Sequence, residues 1–241
     1  MRFVRVGAAL VGAAAAVLGF LSAPAAADEP IVGPAIIDGS FAQNAPWAAR
    51  LFVNGQENCS ATIIAPTWVL TAQHCVSGGT VSFNIGNLDQ TQGESATAVA
   101  IHNHPSADIA LAQLDHAVSA TYSPLGTASA VGVGQTVQVY GWGATCTDQP
   151  EINCQSQFLK VANVSVSATD CSDWLGGVAV CANRIDGITA GGDSGGPMFA
   201  TSPVDGGYYQ VGVASTSDRL TFTAYTNITV YRDWIAGIAG V

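Results

Sequence analysis

Charge is scarce in this chain. Asp, Glu, Lys and Arg together make up 10% of its residues, where a soluble domain usually carries about 25%. Basic residues are scarcer still, 7 against 17 acids, for a net charge of −10. Such a chain has no basic face with which to displace counterions, which excludes nucleic acid as a partner. Disorder is excluded too, because 49% of the residues are hydrophobic and disordered chains are poor in them. No two cysteines are spaced C-x-x-C, and His74 alone among the histidines adjoins a cysteine. No metal site is expected from that pattern, and no cofactor motif is present. Beyond residue 27 no apolar run approaches the ~20 residues of a membrane-spanning helix. Internal repeats and charge blocks are missing as well.

What is present begins with a leader. Arg2 and Arg5 precede an unbroken apolar stretch from Ala8 to Leu21, and Ala25-Ala26-Ala27 offers a small-residue cleavage site before Asp28. Residues 1–27 therefore read as a secretory signal peptide, too short in its apolar part for a membrane anchor. The mature protein is expected outside the cell, with no membrane attachment once the signal is removed. Export also favours oxidised cysteines. The six that follow the leader, Cys59, Cys75, Cys146, Cys154, Cys171 and Cys181, predict three disulfides while leaving their connectivity open.

The mature region lacks long helical periodicity. Short apolar runs alternate with Gly, Pro, Asn and Ser: Ala48–Val53, Ala61–Ile64, Val69–Thr71, Thr97–His102, Ile109–Leu114, Thr136–Tyr140, Leu159–Val166, Met198–Ala200, Tyr208–Ala214 and Phe222–Ile228. Strands of this length and spacing predict an all-β barrel or sandwich. A loose stretch, Tyr122–Ala130, divides them into two modules. One helix is expected, at the end, where Val230, Trp234, Ile235 and Ile238 share a face and Thr229 is placed to cap it.

Three segments carry the chemistry. In Gly192-Asp193-Ser194-Gly195-Gly196-Pro197, glycines around a serine permit a tight turn that presents the hydroxyl rigidly. The amides of Gly192 and Ser194 are then placed to face a developing oxyanion. In Thr71-Ala72-Gln73-His74-Cys75, an imidazole follows an apolar strand, a setting that holds a general base with one tautomer fixed. His102, His104 and His116 lack such a setting. In Asp108-Ile109-Ala110-Leu111, an acid enters a buried-looking strand, which is costly unless a partner meets it. An imidazole N–H is such a partner. Singly, each segment also fits a surface turn or a structural residue.

Together, in the order His, Asp, Ser, they resemble the chymotrypsin/trypsin-like serine protease family. Further similarities run the length of the mature chain: Ile36-Ile37-Asp38-Gly39, Pro46-Trp47, Cys59-Ser60-Ala61-Thr62, Gly141-Trp142-Gly143, Ser215 and Trp234-Ile235. The resemblance implies two six-stranded antiparallel β-barrels packed at a cleft with a C-terminal α-helix. The first, residues 36–126, would carry His74 and Asp108; the second, 127–241, would carry Ser194. It implies a triad of His74, Asp108 and Ser194, an oxyanion hole at Gly192 and Ser194, and the pairs Cys59–Cys75 and Cys171–Cys181. Cys146 and Cys154 are then left to each other. The family's bridge beside the specificity pocket is missing, Ala190 standing at its first cysteine.

By the same resemblance, residues 28–35 form a short propeptide, and its removal lets the Ile36 amine pair with Asp193. Ile31-Val32-Gly33-Pro34 competes as the mature start, but Gly39 meets the family's fourth-position glycine where Pro34 does not. The specificity pocket is expected from Ile188, Ser215, Thr216, Ser217 and Thr223. With no acid at Ile188, and Asp186 available only if the loop shifts, a small or medium apolar residue is expected on the acyl side. The expected partners are polypeptide substrates and proteinaceous inhibitors, acted on by a monomer. Two other readings remain: a proteolytically inactive binding protein of this fold, disfavoured because all three triad residues are kept, and an exported esterase, disfavoured because the serine comes last in a strand-rich chain.

Overall fold

The computed structural model describes residues 1–3 and 36–241. The rest of the expected leader and the whole expected propeptide lie outside the described residues. The strands are β1 (Ser40–Phe41), β2 (Ala48–Val53), β3 (Gln56–Ala65), β4 (Trp68–Thr71), β5 (Val81–Ile85), β6 (Glu94–Asn103) and β7 (Ala110–Leu114), followed by β8 (Thr136–Gly141), β9 (Lys160–Ser172), β10 (Val178–Arg184), β11 (Pro197–Thr201), β12 (Tyr208–Ser217) and β13 (Phe222–Asn227). Helix α1 (Arg232–Ala239) closes the chain.

Strands β2 to β7 close into a barrel in the order β2-β3-β4-β7-β6-β5. The second set runs β9-β10-β13-β12-β11-β8, and β8 returns to β9 to close it. The ladders are antiparallel, so the expected pair of six-stranded barrels with a terminal helix is the observed fold. Strand β1 belongs to the second barrel, pairing Ser40 with Val161 and Phe41 with Lys160. From residue 36 the described chain thus begins on the second barrel, builds the first, and returns.

The strands follow side-chain alternation where one face is wet. In β5, Val81, Phe83 and Ile85 are buried while Ser82 and Asn84 are half-buried, as a period of two requires. Strand β3 differs, being buried throughout from Cys59 to Ala65. One of its faces fills its own barrel and the other meets the second. There Thr62 Oγ1 donates to Gln210 Oε1 at 3.0 Å, and Ser123 Oγ donates to the same oxygen at 2.7 Å. Aromatic rings complete the joint. Trp47, just before β2, lies 4.4 Å from the Phe199 ring and meets Tyr140 edge-on at 5.1 Å. From the other side, buried Trp142 donates its indole N–H to the Leu88 carbonyl at 2.9 Å.

Two sequence expectations shift. The helix starts at Arg232 rather than after Thr229, because Asn227 Oδ1 accepts from both the amide and the hydroxyl of Thr229 (3.2 and 2.6 Å). That bonding caps a separate 3-10 turn, Ile228–Val230. Strands β5 and β10 are not among the expected runs, and β9 extends to Ser172. Its longer reach places Cys171 opposite β10.

Trp47 is 7% exposed and touches aromatic rings of the second barrel. Replacing it by Ala should destabilise the chain by about 3–5 kcal/mol, the usual range for a buried aromatic, read as a lower denaturant midpoint. An unchanged midpoint would mean that the seam does not depend on this ring.

Candidate active site

His74 lies in the 3-10 turn Gln73–Cys75, immediately after β4. The apolar β4 is buried from Val69 to Thr71, and Cys75 is bonded to Cys59 on β3, so the turn is tethered on two sides. Asp108 comes two residues before β7 and is fully buried. The His74 amide donates to its Oδ1 at 3.1 Å, and His74 Nδ1 lies 2.7 Å from Oδ2. An ionised carboxylate only accepts hydrogen bonds, so Nδ1 carries a proton, and in the neutral ring this tautomer leaves the lone pair on Nε2. Ser215 on β12 donates its hydroxyl to the same Oδ2 at 2.6 Å. Burial opposes the charge on Asp108, but the donors from His74 and Ser215 outweigh it and hold the carboxyl below its ordinary range.

Sequence reasoning missed a second buried acid behind this pair. Asp173 Oδ2 accepts the Asp108 amide at 2.8 Å and the Thr226 hydroxyl at 2.8 Å. Its other oxygen accepts from Leu175 and Gly177, and the next residue, Trp174, donates its amide to Ser215 Oγ at 3.0 Å. Nothing in Asp170-Cys171-Ser172-Asp173 signals this role, which depends on the β9–β10 connection folding back over β12 and β13.

Ser194 sits on the loop joining β10 to β11. Gly192 has φ +99° and Gly195 φ +77°, a region that strongly favours glycine. A Cβ on Gly195 would fall 2.1 Å from Thr71 Oγ1 and 2.4 Å from the Ser60 carbonyl. Glycine there lets the serine loop press on the first barrel, where the Ser60 amide donates to the Ser194 carbonyl at 2.8 Å. From Ala190 to Ser194 every backbone carbonyl of this loop accepts a hydrogen bond. Among the described residues, only the amides of Gly192 and Ser194 lack an acceptor between Gly191 and Ser194. Ser194 and His74 line one cavity of about 440 Å³. No hydrogen bond joins their side chains in this structure.

Asp193 points the other way. It is fully buried, accepting from the Gly143 amide at 2.7 Å and the Ala190 amide at 2.8 Å. Burial pushes its carboxyl up to about 7, against those amides and the nearby Arg50. Ile36 is also fully buried, within the apolar core of the second barrel. Its neighbour Ile37 pairs with Ile188. In the uncleaved chain the Ile36 nitrogen is an amide and brings no charge to Asp193.

Of the expected pocket residues, Ser215, Thr216, Ser217 and Thr223 line the cavity, and Ile188 does not. Ile188 is fully buried and bonded through its backbone to Ile37. Side chains alternate along extended chain, so the next residue, Thr189, faces the cavity instead. Asp186 is also outside the lining, accepting both from the amide of Asn163 and from its side chain. Thr189 and Thr223 bond to each other at 2.8 Å, and Ser217 donates to the Thr189 carbonyl at 2.9 Å. The charged residue of the lining, Arg219, is ion-paired with Glu151. The three disulfides are Cys59–Cys75, Cys146–Cys154 and Cys171–Cys181.

The chain matches the family model described as Trypsin over residues 36–235. It is 30% identical to Serine protease 56 of Mus musculus over 236 residues, covering 83% of this chain and 38% of that protein. It therefore spans well under half the length of that relative. With Kallikrein-11 of Homo sapiens it shares 30% identity over 218 residues, 79% of this chain and 74% of that one. The solved structure of human heparin binding protein aligns with a TM-score of 0.72 at 24% identity, covering 85% of this chain and 96% of that one. That likeness concerns fold alone.

Asp193 yields a pH prediction for the uncleaved chain. Its carboxyl is raised to about 7 in the fold, above the unfolded value of about 4. The folded form therefore keeps this proton longer, and its contribution to stability is lost as pH rises from about 4 to about 7. Asp193→Asn removes that titration. In a Ser194→Ala background, which prevents self-processing, urea midpoints should fall more steeply across this window when Asp193 is kept than in the Asp193→Asn variant. Parallel curves would refute the assignment.

Proposed function

Since the chain belongs to the Trypsin family, we propose that it is an endopeptidase that cleaves polypeptides through an acyl-enzyme on Ser194. The observation that carries this reading is the chain of contacts from buried Asp108 to His74, whose free Nε2 shares a cavity with the Ser194 hydroxyl. His74 Nε2 takes the hydroxyl proton as Ser194 Oγ bonds to the scissile carbonyl carbon. The carbonyl oxygen becomes an oxyanion, for which the unpaired amides of Gly192 and Ser194 are the donors at hand. Collapse returns the proton from His74 to the leaving amine and breaks the C–N bond. Water then repeats the sequence against the Ser194 ester, releasing the acid and restoring the serine. Asp108 stays ionised throughout, holding the tautomer and balancing the imidazolium.

Maturation belongs to the same proposal. Ile36 has φ +42°, a strained region for a β-branched residue. Cleavage before Ile36 abolishes that dihedral and creates an amine in a segment whose side chain already rests in the second-barrel core. The amine would neutralise Asp193, whose charge is otherwise poorly supported. The leader-like sequence of residues 1–27 and the disulfides support an extracellular enzyme, with polypeptides as substrates and proteinaceous inhibitors as further partners. With no carboxylate in the pocket lining, and with its Thr189, Thr223, Ser215 and Ser217 hydroxyls already engaged by protein partners, the acyl-side pocket suits a small or medium neutral side chain. A cleavage profile dominated by Arg or Lys would overturn this preference.

A non-catalytic binding role is the main rival, since the fold is shared with human heparin binding protein. A polyanion such as heparin does not suit a chain with net charge −10. The decisive experiment treats the matured protein with a fluorophosphonate probe and with casein. Labelling at Ser194 and turnover are expected, both lost in Ser194→Ala with a fall in kcat of roughly 10^6-fold. Turnover of short acyl esters without casein cleavage would favour the esterase reading, and no labelling would sink both. N-terminal sequencing of the active form should begin Ile36-Ile37-Asp38-Gly39.

A further inference from the structure

Arg50, on β2, holds a guanidinium with no solvent exposure. A buried cation is costly unless its donors are used. Burial pulls this one down to about 10, with Glu57 and Asp193 acting the other way. Its Nη1 donates to the Gly192 carbonyl at 3.2 Å and its Nη2 to Gln155 Oε1 at 3.0 Å. Ser60 Oγ reinforces the first contact, donating to the same carbonyl at 2.9 Å. Gln155, held by Arg50, turns its Nε2 onto the Gly191 carbonyl at 2.9 Å and the Glu151 carbonyl at 2.8 Å. The Ala144 amide joins it on Gly191 at 2.8 Å.

These contacts fix both peptide planes that flank Gly192. In a trans peptide the C=O and N–H point opposite ways. Gripping the Gly191 carbonyl therefore aims the Gly192 amide away from Gln155. Gripping the Gly192 carbonyl stops the next plane from rotating. Gly192, at φ +99°, would otherwise be free to flip. The packing is close, for a Cβ on Gly192 would lie 2.0 Å from Gln155 Oε1.

We propose that Arg50 and Gln155 form a clamp that positions the Gly192 amide for the oxyanion. Both are positioning residues, acting through the Gly192 backbone, and the proposal rests on the proteolytic reading above. An Arg is suited to the task because its rigid planar fork holds two acceptors in fixed directions, whereas a lysine is a rotating point charge on a flexible stem.

The test uses matured wild type, Arg50→Met, Arg50→Lys and Gln155→Leu, each normalised by active-site titration. Hydrolysis of a peptide amide should show kcat lowered about 10- to 100-fold, somewhat less than outright loss of an oxyanion donor, with KM within about twofold. Inhibition by a peptide aldehyde, whose adduct carries an oxyanion, should weaken in parallel. Inhibition by the corresponding peptide acid should not change, and the pH profile should keep its wild-type lower limb. A fold-wide role would instead lower the melting temperature and leave titrated kcat untouched. If Arg50→Met does not fold, Arg50→Lys and Gln155→Leu decide. Titrated kcat within twofold of wild type in both overturns the clamp while leaving the protease reading intact. Failure of wild type itself to label at Ser194 overturns both.

Discussion

A carboxylate removed from water has to be met by donors, and at Asp108 that requirement organises the site. The acid alone would destabilise the fold by several kcal/mol. It is tolerated because His74 approaches with two N–H groups and Ser215 with a hydroxyl. Meeting it draws the end of β4 and the strand β12 of the other barrel to one point. The two barrels could pack in many ways by apolar contact, but few would deliver both donors to one pair of oxygens. The apolar seam around Trp47 and Phe199 supplies adhesion, while the Asp108 bonds supply register. The imidazole's tautomer follows from the same constraint.

The buried acids at the site are solved differently. Asp108 has more than enough donors, and its charge is comfortable. Asp173 accepts from three backbone amides and a threonine hydroxyl, fixing the connection that bears Trp174. Asp193 has two amides and a cation set back behind Gly192, which is too little, and its carboxyl rises accordingly. In the maturation proposed above, that deficit is what a free amine at residue 36 would meet.

How much of this was legible without coordinates depends on the range of the interaction. Strands such as β2, with its run from Ala48 to Val53, declare themselves through local composition. Strand β5 was readable in principle, as Val-Ser-Phe-Asn-Ile alternates cleanly, yet its two polar residues interrupt any continuous apolar run. His74 and the serine loop were readable because turn chemistry leaves glycine and cysteine in fixed places. Asp108 was visible through its neighbours, an acid at the head of Ile109-Ala110-Leu111. Ile188 was misplaced because counting along a loop ignores alternation: one residue exchanges the cavity face for the core. Arg50 and Asp173 were invisible, since their partners stand 142 and 65 positions away respectively. No local pattern encodes such contacts.

The scarcity of charge takes on a structural meaning once the burial is known. Among the described residues, five formally charged side chains are buried: Arg50, Asp108, Lys160, Asp173 and Asp193. Lys160 lies on β9 with its ammonium 3.8 Å over the Phe41 ring, joining β1 to the second barrel. The other four converge on the two loops that carry Asp108 and Ser194. A core built for stability alone would replace such groups by apolar ones of similar volume, often with no loss. Their retention at one seam, in a chain otherwise sparing with charge, follows if orientation rather than adhesion is what they provide. Apolar contacts tolerate small rotations of a peptide plane, and hydrogen bonds from fixed ions do not. Under the proposed mechanism the loop beside Ser194 has to hold two amides aimed at one point, and that is the kind of order that directional donors can impose.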